Sequence, residues 1–244
     1  MISKKLIETD FTLDLVFNAF NEIESIEDDI KEIIKKTSNI VNLKNIIIVE
    51  DGSTDGTSER LKELRKKYQI KLNQSEQRRG YSRALVDGIN SAESDFIFFS
   101  DLGGKFHWED ISKLIQYLPE HDFVLGIRVN RTDQKYRQLL TYFYSSYIRI
   151  FYSIKSKDPD SGFRIYKKSL IKNILSYTIH NKHLLNSEFT IKCLKRGAKY
   201  KEVDINYIKR EGSSRGLPLK IIPSVIISTI VNSFKIKKQV KLYE

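Results

Sequence analysis

The chain has 244 residues, 40% of them hydrophobic and 30% charged, which excludes a disordered chain and allows one domain with a sizeable core. Its single cysteine, Cys193, excludes an internal disulfide and suits a reducing compartment. The net charge of +11 indicates either anionic partners, such as phosphorylated substrates or acidic lipid head groups, or simply a solvated basic surface. No zinc-finger, RNA-recognition or helix-turn-helix pattern in the sequence supports nucleic acid as the partner.

The first half of the chain alternates strand and helix patterns. Short apolar runs predict buried strands at Leu13–Phe20, Ile46–Val49, Ile70–Leu72, Phe96–Phe99 and Phe123–Leu125. Helices are predicted where apolar residues recur three and four positions apart: Ile23 to Ile34, Leu61 to Tyr68, a segment after Gly80, and Ile111 to Leu118. This alternation predicts an α/β fold with a mostly parallel sheet flanked by helices.

Two carboxylates each come two residues after the end of a predicted strand. Asp51 follows the run at Ile46–Val49, and Asp101 follows Phe96–Phe99 after a single serine. Ligands of such sheets bind beyond the carboxyl ends of the strands, so both residues are candidates for a binding site. The alternative is that both carboxylates cap the helices that follow.

The second half is less regular. A helix dense in tyrosine, phenylalanine and isoleucine is predicted over Tyr136–Ile154, and most of its side chains suit a core. A loop ends and a strand begins at Ser161–Arg164, a helix is closed by Gly197, and alternation around Val203 predicts another strand. No repeat or linker interrupts this region, so residues 1–216 are predicted to form one domain.

The tail, residues 217–244, has a different character. Ile226, Ile230 and Phe234 share a helical face with their neighbours Ile227 and Val231, and four lysines follow. The uncharged run falls short of the roughly 20 residues of a spanning helix. Two interpretations stay open: a helix lying in a membrane interface with its lysines near anionic lipid, or a terminal helix docked on the core.

Seven motifs together carry a family resemblance. They are NAFNE (Asn18–Glu22), EDGSTDGT (Glu50–Thr57), RGYSRALVDGINSA (Arg79–Ala92), DLGGK (Asp101–Lys105), DPDSGFRIYKK (Asp158–Lys168), SEFTIKCLKRGAKYKEV (Ser187–Val203) and REGSSR (Arg210–Arg215). In this order the chain resembles the family 2 glycosyltransferases, and among them the dolichyl-phosphate mannosyltransferase and polyprenyl-phosphate glycosyltransferase subgroup. The resemblance implies the Rossmann-like GT-A fold and inverting transfer from a nucleotide sugar, linked to GDP or UDP.

The resemblance also implies site residues. On the donor side it assigns Glu22 and Asp51 to the nucleoside, Gly80 to the glycine-led helix, and Asp101 to the donor diphosphate and a divalent metal. On the acceptor side it assigns Arg128, Arg137 and Thr141 to an acceptor phosphate, the last two being one helical turn apart. The resemblance further places a late segment over the phosphates, with its matching residues at Arg210, Ser214 and Arg215.

The Asp-x-Asp motif of the family is incomplete in this chain. Asp101 is followed by Leu102 and Gly103, and Lys105 stands where the subgroup often has a metal-contacting glutamine. One hypothesis is that Lys105 does part of the work of the metal, so that Mg²⁺ or Mn²⁺ is weakly held or dispensable; the other is that Asp101 alone still binds the ion. Turnover after exhaustive chelation separates them, because complete loss that Mg²⁺ or Mn²⁺ restores would refute the lysine hypothesis.

The acceptor class follows from the need for a base. A sugar hydroxyl needs a general base, for which Glu188 and Asp160 are candidates, whereas a polyprenyl phosphate, with a second pKa of about 6, is already largely ionised. Glu188 is alternatively the structural partner of an arginine, and Asp158 and Arg164 are expected to pair within their loop.

We therefore expect a glycosyltransferase that acts on polyprenyl phosphate, peripheral on the cytoplasmic face of a membrane. Two alternatives remain: transfer to a sugar hydroxyl of a cell-surface glycan, and a catalytically silent nucleotide-binding module. A membrane-protein partner or a homo-oligomer is left open, as are the base and the sugar of the donor.

Overall fold

The structure is a computed structural model that describes residues 10–40, 42–104, 106–176, 178, 184–208 and 219–241. The described strands form one seven-stranded sheet in the order β3-β2-β1-β4-β6-β5-β7. The strands are β1 (Leu13–Ala19), β2 (Leu43–Asp51), β3 (Lys71–Ser75), β4 (Phe96–Asp101), β5 (Phe123–Val129), β6 (Arg164–Lys167) and β7 (Tyr200–Asn206). Strand β6 runs antiparallel to both of its neighbours, and the other strand pairs are parallel.

Helices cover both faces of the sheet, as the alternating pattern predicted. They are α1 (Ile26–Thr37), α2 (Thr57–Tyr68), α3 (Tyr81–Ser91), α4 (Asp110–Ile115), α5 (Lys135–Tyr152), α6 (Lys168–Leu175), α7 (Leu185–Lys195) and α8 (Ile222–Val240). Successive strand residues point to opposite faces, so β1 places Leu15 and Phe17 against α1, α2 and α4, and Val16 against α3. Helices α6 and α7 complete the second core.

The sheet order places the candidate carboxylates at one edge. β1 lies between β2 and β4 and runs parallel to both, so Asp51 and Asp101, the last residues of their strands, emerge on either side of the β1 end. The strand positions of both carboxylates are thus confirmed. β5 ends at the same edge, because it and β4 are each antiparallel to the intervening β6.

The tail helix α8 docks on the domain through a third core. Its Ile236 and Val240 pack with Ile148 of α5 and Ile191 of α7, and the Tyr152 hydroxyl donates to the Ser233 carbonyl at 2.9 Å. The face predicted from the sequence stays exposed, with Ile227 at 64% and Phe234 at 60% of their full accessibility. The helix is therefore docked on one side and apolar toward solvent on the other.

No described helix combines the length and the apolar character needed to cross a bilayer. The described part of the chain nevertheless carries a broad exposed apolar surface on two neighbouring helices. On α5 it includes Leu139, Tyr142, Phe143 and Ile150, and on α8 it includes Ile226, Ile227, Ile230, Val231 and Phe234.

Candidate active site

Asp51 organises the turn that opens α3. One of its carboxylate oxygens accepts from the backbone N–H of Arg79 at 2.8 Å and the other from that of Gly80 at 2.9 Å. Gly80 has φ of +94°, a left-handed value that favours glycine and directs the chain into the helix. Asp51 therefore fixes the glycine turn, and its contact with a nucleoside remains a prediction.

Glu22 lies beside the loop that follows Asp101. A side chain at Gly103 would place its Cβ 2.9 Å from Glu22 Oε2, and the φ of +113° at Gly103 also disfavours any side chain. The Glu22 carboxylate thus fills the space next to the position where the family has its second acidic residue. Glu22 thus lies beside the loop after Asp101, and its contact with a nucleoside remains a prediction.

Asp29, which sequence reasoning missed, fixes the same loop through hydrogen bonds. The Asp29 carboxylate accepts from the backbone N–H of Gly103 at 2.8 Å and of Gly104 at 3.2 Å, and from Trp108 Nε1 at 3.1 Å. Burial raises the pKa of Asp29, and these hydrogen bonds oppose the shift. Asp29 lies on the buried face of the acidic first turn of α1. It was missed because acidic residues in the first turn of a helix are usually solvated.

Asp101 meets three other elements at the end of β4. Its Oδ2 lies 3.8 Å from the position that a Cβ would take at Gly162, in the loop before β6, and Asn186 Nδ2 lies 3.9 Å from the same point. The Tyr81 hydroxyl at the start of α3 contacts Asn186, and burial, followed by the charge of Asp101, raises the pKa of Tyr81 well above its usual value. The end of β4, the glycine turn at the start of α3 and the start of α7 therefore meet around Asp101 and form one corner of the site.

The chemistry of this corner fits a Mg²⁺ or Mn²⁺ ion. Within the described residues no group of three or more His, Cys, Asp or Glu side chains could hold a metal. Mg²⁺ needs only one or two carboxylates when phosphate oxygens and water complete its shell. Asp101, with Glu22 beside the loop, supplies oxygen atoms of the required kind.

A cavity of about 630 Å³ opens next to this corner. Its polar end is lined by Tyr81, Arg128, Arg131, Asp133, Arg137, Asp160, Asn186 and Tyr207. Its apolar end lies between α5 and α8 and is lined by Leu140, Phe143, Tyr147, Ile222, Val225, Ile226 and Ile230. The cavity thus suits a ligand with a charged head and an apolar tail.

Arg128 lines the polar end and is held by a carboxylate. Its Nε and one terminal nitrogen donate to the two oxygens of Asp158, each at 2.7 Å. Burial opposes ionisation of Asp158, but the charge and hydrogen bonds of Arg128 keep the pKa of that carboxyl below its usual range. The expected pairing of Asp158 with Arg164 is wrong.

Arg164 instead shapes the loop through neutral oxygens. Its guanidinium donates to the backbone carbonyls of Pro159, Ser161 and Asn186, and to the hydroxyl of Thr190. Asp158 pairs with Arg128 instead, because β6 lies next to β5, which carries Arg128 to the same loop.

Arg137 and Thr141 line the cavity together from one face of α5, as their spacing predicted. Among the described ion pairs Arg128 and Arg131 have carboxylate partners, whereas none involves Arg137. Its Nε donates to the Tyr136 hydroxyl at 3.2 Å. Arg137 is therefore the cavity arginine best able to bind a carboxylate or phosphate group of a ligand.

Glu188 is not brought to the cavity. It is fully buried on α7 and pairs with Lys192 one turn later, at 2.5 Å between Nζ and Oε1. The structural alternative for Glu188 therefore fits the geometry, with a lysine rather than an arginine as the partner. The four-residue interval of the two charges on a predicted helix was the signal that could have shown it.

Four predicted site residues lie outside the described part of the chain. They are Lys105, Arg210, Ser214 and Arg215. Sequence reasoning also missed Tyr144, Asn186 and Ser187, which contribute polar atoms at or beside the cavity. The signal that could have drawn attention to the latter two is the Ser187–Val203 motif, which Ser187 begins and Asn186 directly precedes.

A Rossmann-like sheet whose parallel strands end in carboxylates beside an arginine-lined cavity is the arrangement of a GT-A nucleotide-sugar transferase. Residues 14–175, more than half of the chain, match the family described as Glycosyl transferase family 2. The chain belongs to this family of glycosyltransferases, and the fold and family expected from the motifs are confirmed.

Three relatives resemble this chain at low sequence identity. Dolichyl-phosphate beta-glucosyltransferase of Saccharomyces cerevisiae is 24% identical over 72% of this chain and 60% of its own length. Dolichol-phosphate mannosyltransferase of Pyrococcus furiosus is 28% identical over 66% of this chain and 47% of its own length. An uncharacterised protein of Methanocaldococcus jannaschii is 30% identical over 83% of this chain and 84% of its own. The chain thus spans about half of the mannosyltransferase and three fifths of the glucosyltransferase.

Solved structures of one enzyme share the fold. Glucosyl-3-phosphoglycerate synthase of Mycobacterium tuberculosis, in complex with phosphoglyceric acid, has a TM-score of 0.70 at 18% identity, covering 93% of this chain and 80% of that one. Its complex with Mn²⁺, UDP-glucose and phosphoglyceric acid has a TM-score of 0.68 at 18% identity, covering 92% and 80%. At this identity the likeness concerns the fold alone.

Proposed function

We propose that the protein transfers a sugar from a nucleotide sugar to a polyprenyl phosphate, with inversion, on the cytoplasmic face of a membrane. The cavity supports this most directly, because one end is lined by arginines and the other by apolar side chains of α5 and α8. The two relatives named for dolichyl or dolichol phosphate, although distant, agree with this acceptor class.

In the proposed reaction the acceptor phosphate attacks the anomeric carbon. A phosphate oxygen forms the new bond, the bond from the anomeric carbon to the nucleoside diphosphate breaks, and the diphosphate leaves with the electron pair. Arg137 holds the acceptor phosphate by charge-assisted hydrogen bonds, supported by Thr141 and by the Arg128–Asp158 pair. No base is needed, because the attacking phosphate is already ionised.

The donor, a UDP- or GDP-linked sugar, is proposed to lie at the ends of β1, β2 and β4. There Asp51 and Gly80 form the turn into α3, and Asp101 faces the diphosphate, with Glu22 beside its loop. A Mg²⁺ or Mn²⁺ ion held by Asp101 and Glu22 would stabilise the charge of the leaving diphosphate. Arg210, Ser214 and Arg215 remain predicted phosphate contacts from the sequence.

Membrane contact is proposed through α5 and α8. Both helices expose apolar side chains beside the cavity, and α8 continues into exposed Lys235, Lys237, Lys238 and Lys241. Apolar side chains followed by lysines suit a helix in the interface of an anionic membrane. An acceptor with its tail in the bilayer could then enter at the apolar end of the cavity.

A prenyl monophosphate with a photoreactive diazirine at the end of its tail tests this assignment. We expect light-induced labelling of α5 and α8 at Phe143, Ile226 or Ile230, because these side chains line the apolar end. Peptide mapping by mass spectrometry locates the label. Unmodified prenyl phosphate should compete it away, whereas an oligosaccharide should not. Label that is spread over the surface and insensitive to competition would contradict the assignment.

One observation favours the second candidate, transfer to a sugar hydroxyl. Asp160 lines the cavity and lies in the described residues without an ion-pair partner, so it could serve as the base that a hydroxyl requires. Its role therefore separates the two acceptor classes.

A further inference from the structure

Asp160 is held in the cavity by a short chain of hydroxyl groups. The Ser187 hydroxyl donates to Asp160 Oδ1 at 3.3 Å, and the Tyr144 hydroxyl donates to Ser187 Oγ at 2.7 Å. Tyr144 and Asp160 both line the cavity, whereas Ser187 is fully buried behind them. The carboxyl group therefore has a fixed place next to the space proposed for the acceptor head group.

The two arginines whose charges act on Asp160 within the described residues, Arg128 and Arg164, bind other groups. Arg128 on β5 gives two hydrogen bonds to Asp158, and Arg164 on β6 gives its described hydrogen bonds to carbonyl and hydroxyl oxygens. The other titratable groups that act on Asp160 are the Asp158 carboxylate in the same loop and the phenols of Tyr81 on α3 and Tyr144 on α5. Among the described residues Asp160 thus has no ion-pair partner that would favour its ionised form.

This environment makes the Asp160 carboxyl group easier to protonate than a solvent-exposed one. Burial, together with the charge of Asp158, raises the pKa of Asp160 to about 6, while Arg128 and Arg164 oppose the shift. A phosphate monoester has its second pKa at about 6 as well. Two such anions in one cavity repel each other, so binding of the phosphate raises the pKa of the carboxyl group further.

We propose that Asp160 binds the acceptor phosphate as a hydrogen-bond donor, so that acceptor binding takes up one proton from solvent. The inference rests on the proposed phosphate acceptor and assigns Asp160 as a specificity-determining residue. A protonated carboxyl group gives the phosphate a donor beside Arg137, and an ionised one repels it. A neutral sugar hydroxyl group, used as the acceptor, would not discriminate in this way between the protonated and the ionised carboxyl group of Asp160.

The direction of the pH dependence follows from this proton. Above about pH 7 the free carboxyl group and the free phosphate are both largely ionised, and the complex holds one proton more than the separated partners. Acceptor affinity then falls about tenfold for each unit of pH, as long as the complex stays protonated. Without the Asp160 carboxyl group the affinity should change little over the same range.

Calorimetry of farnesyl monophosphate binding tests the inference on the full chain. Titrations at pH 7.5 in two buffers of different ionisation enthalpy count the protons taken up on binding. We expect about one proton for the unchanged protein and none for Asp160→Asn, because asparagine keeps the shape and a donor but cannot titrate. Asp204→Asn is the matched control: it removes an exposed carboxylate of β7 that does not line the cavity, and should leave the uptake unchanged.

The outcomes separate this inference from the proposed function. Binding of farnesyl monophosphate without proton uptake would overturn the role of Asp160 and leave the phosphate acceptor standing. Turnover that falls 100-fold or more in Asp160→Asn, with unchanged acceptor binding, would make Asp160 a base and overturn the inference as well. Absence of farnesyl monophosphate binding to the unchanged protein would overturn the proposed acceptor itself.

Discussion

Replacement of Arg137 by alanine is expected to raise the acceptor KM about 50-fold and to leave donor binding nearly unchanged. Arg137 lines the polar end of the cavity, and no described ion pair occupies its guanidinium. A charge-assisted hydrogen bond contributes roughly 1.5–3 kcal/mol, which corresponds to about 10-fold to 100-fold in affinity. Steady-state kinetics with varied acceptor, and calorimetry with the nucleotide, measure the two effects separately.

Two variants on the same helix control the Arg137 result. Arg149→Ala removes an arginine of α5 that does not line the cavity, and its acceptor KM should change less than twofold. Arg137→Lys keeps the charge but loses the planar fork, so it should recover part of the loss. If Arg137→Ala instead abolishes donor binding and spares acceptor affinity, the two halves of the site are assigned the wrong way round.

Replacement of Asp101 by asparagine is expected to lower kcat about 1000-fold while the protein stays folded. Asp101 ends β4 beside Gly162 and Asn186, where the diphosphate is proposed to leave, and the side chains match in shape. Removing one preorganised electrostatic group from a transition state typically costs 100-fold to 1000-fold. In this chain the second Asp-x-Asp residue is Gly103, so less remains to compensate. Single-turnover rates at saturating donor and acceptor measure the loss.

Glu24→Gln is the matched control for Asp101→Asn. Glu24 is an exposed carboxylate two residues after Glu22, so the variant removes the same charge near the site without touching the loop. Its kcat should stay within twofold, and both variants should melt within a few degrees of the unchanged protein. If Asp101→Asn keeps more than a tenth of the original kcat, Asp101 has no central part in the chemistry.

Local patterns were sufficient to predict the donor side of the fold. The apolar runs before Asp51 and Asp101 end where the strands end, and parallel strands bring their carboxyl ends to one edge. The position of the Glu22 carboxylate against Gly103 was not predictable, because it depends on a left-handed turn and on a contact between residues 81 positions apart in the chain.

The acceptor side depended on long-range geometry that the sequence does not display. The four-residue strand β6 runs antiparallel between β4 and β5, and so brings the Asp158–Ser161 loop to Arg128. A local pattern predicted the strand but not its direction, and the pairing within the loop was therefore wrong. Helix α6 was missed because it begins at Lys168, which is the last residue of the Asp158–Lys168 motif and comes directly after β6.

The tail shows how one pattern supports two structures. Its apolar stripe and its small polar residues fit both an interfacial helix and a docked one, and the structure docks Ser233, Ile236 and Val240 while exposing Ile227 and Phe234. The sequence predicts which residues share a face of the helix. Only tertiary packing decides which of these faces the domain covers.

Product analysis with purified protein tests the acceptor class most directly. The protein is supplied with a panel of UDP- and GDP-linked sugars, and with either polyprenyl phosphate in vesicles or an oligosaccharide. The predicted result is an acid-labile polyprenyl monophosphate sugar in the organic phase, together with one equivalent of nucleoside diphosphate. Transfer to the oligosaccharide alone, or nucleotide binding without any transfer, would contradict it.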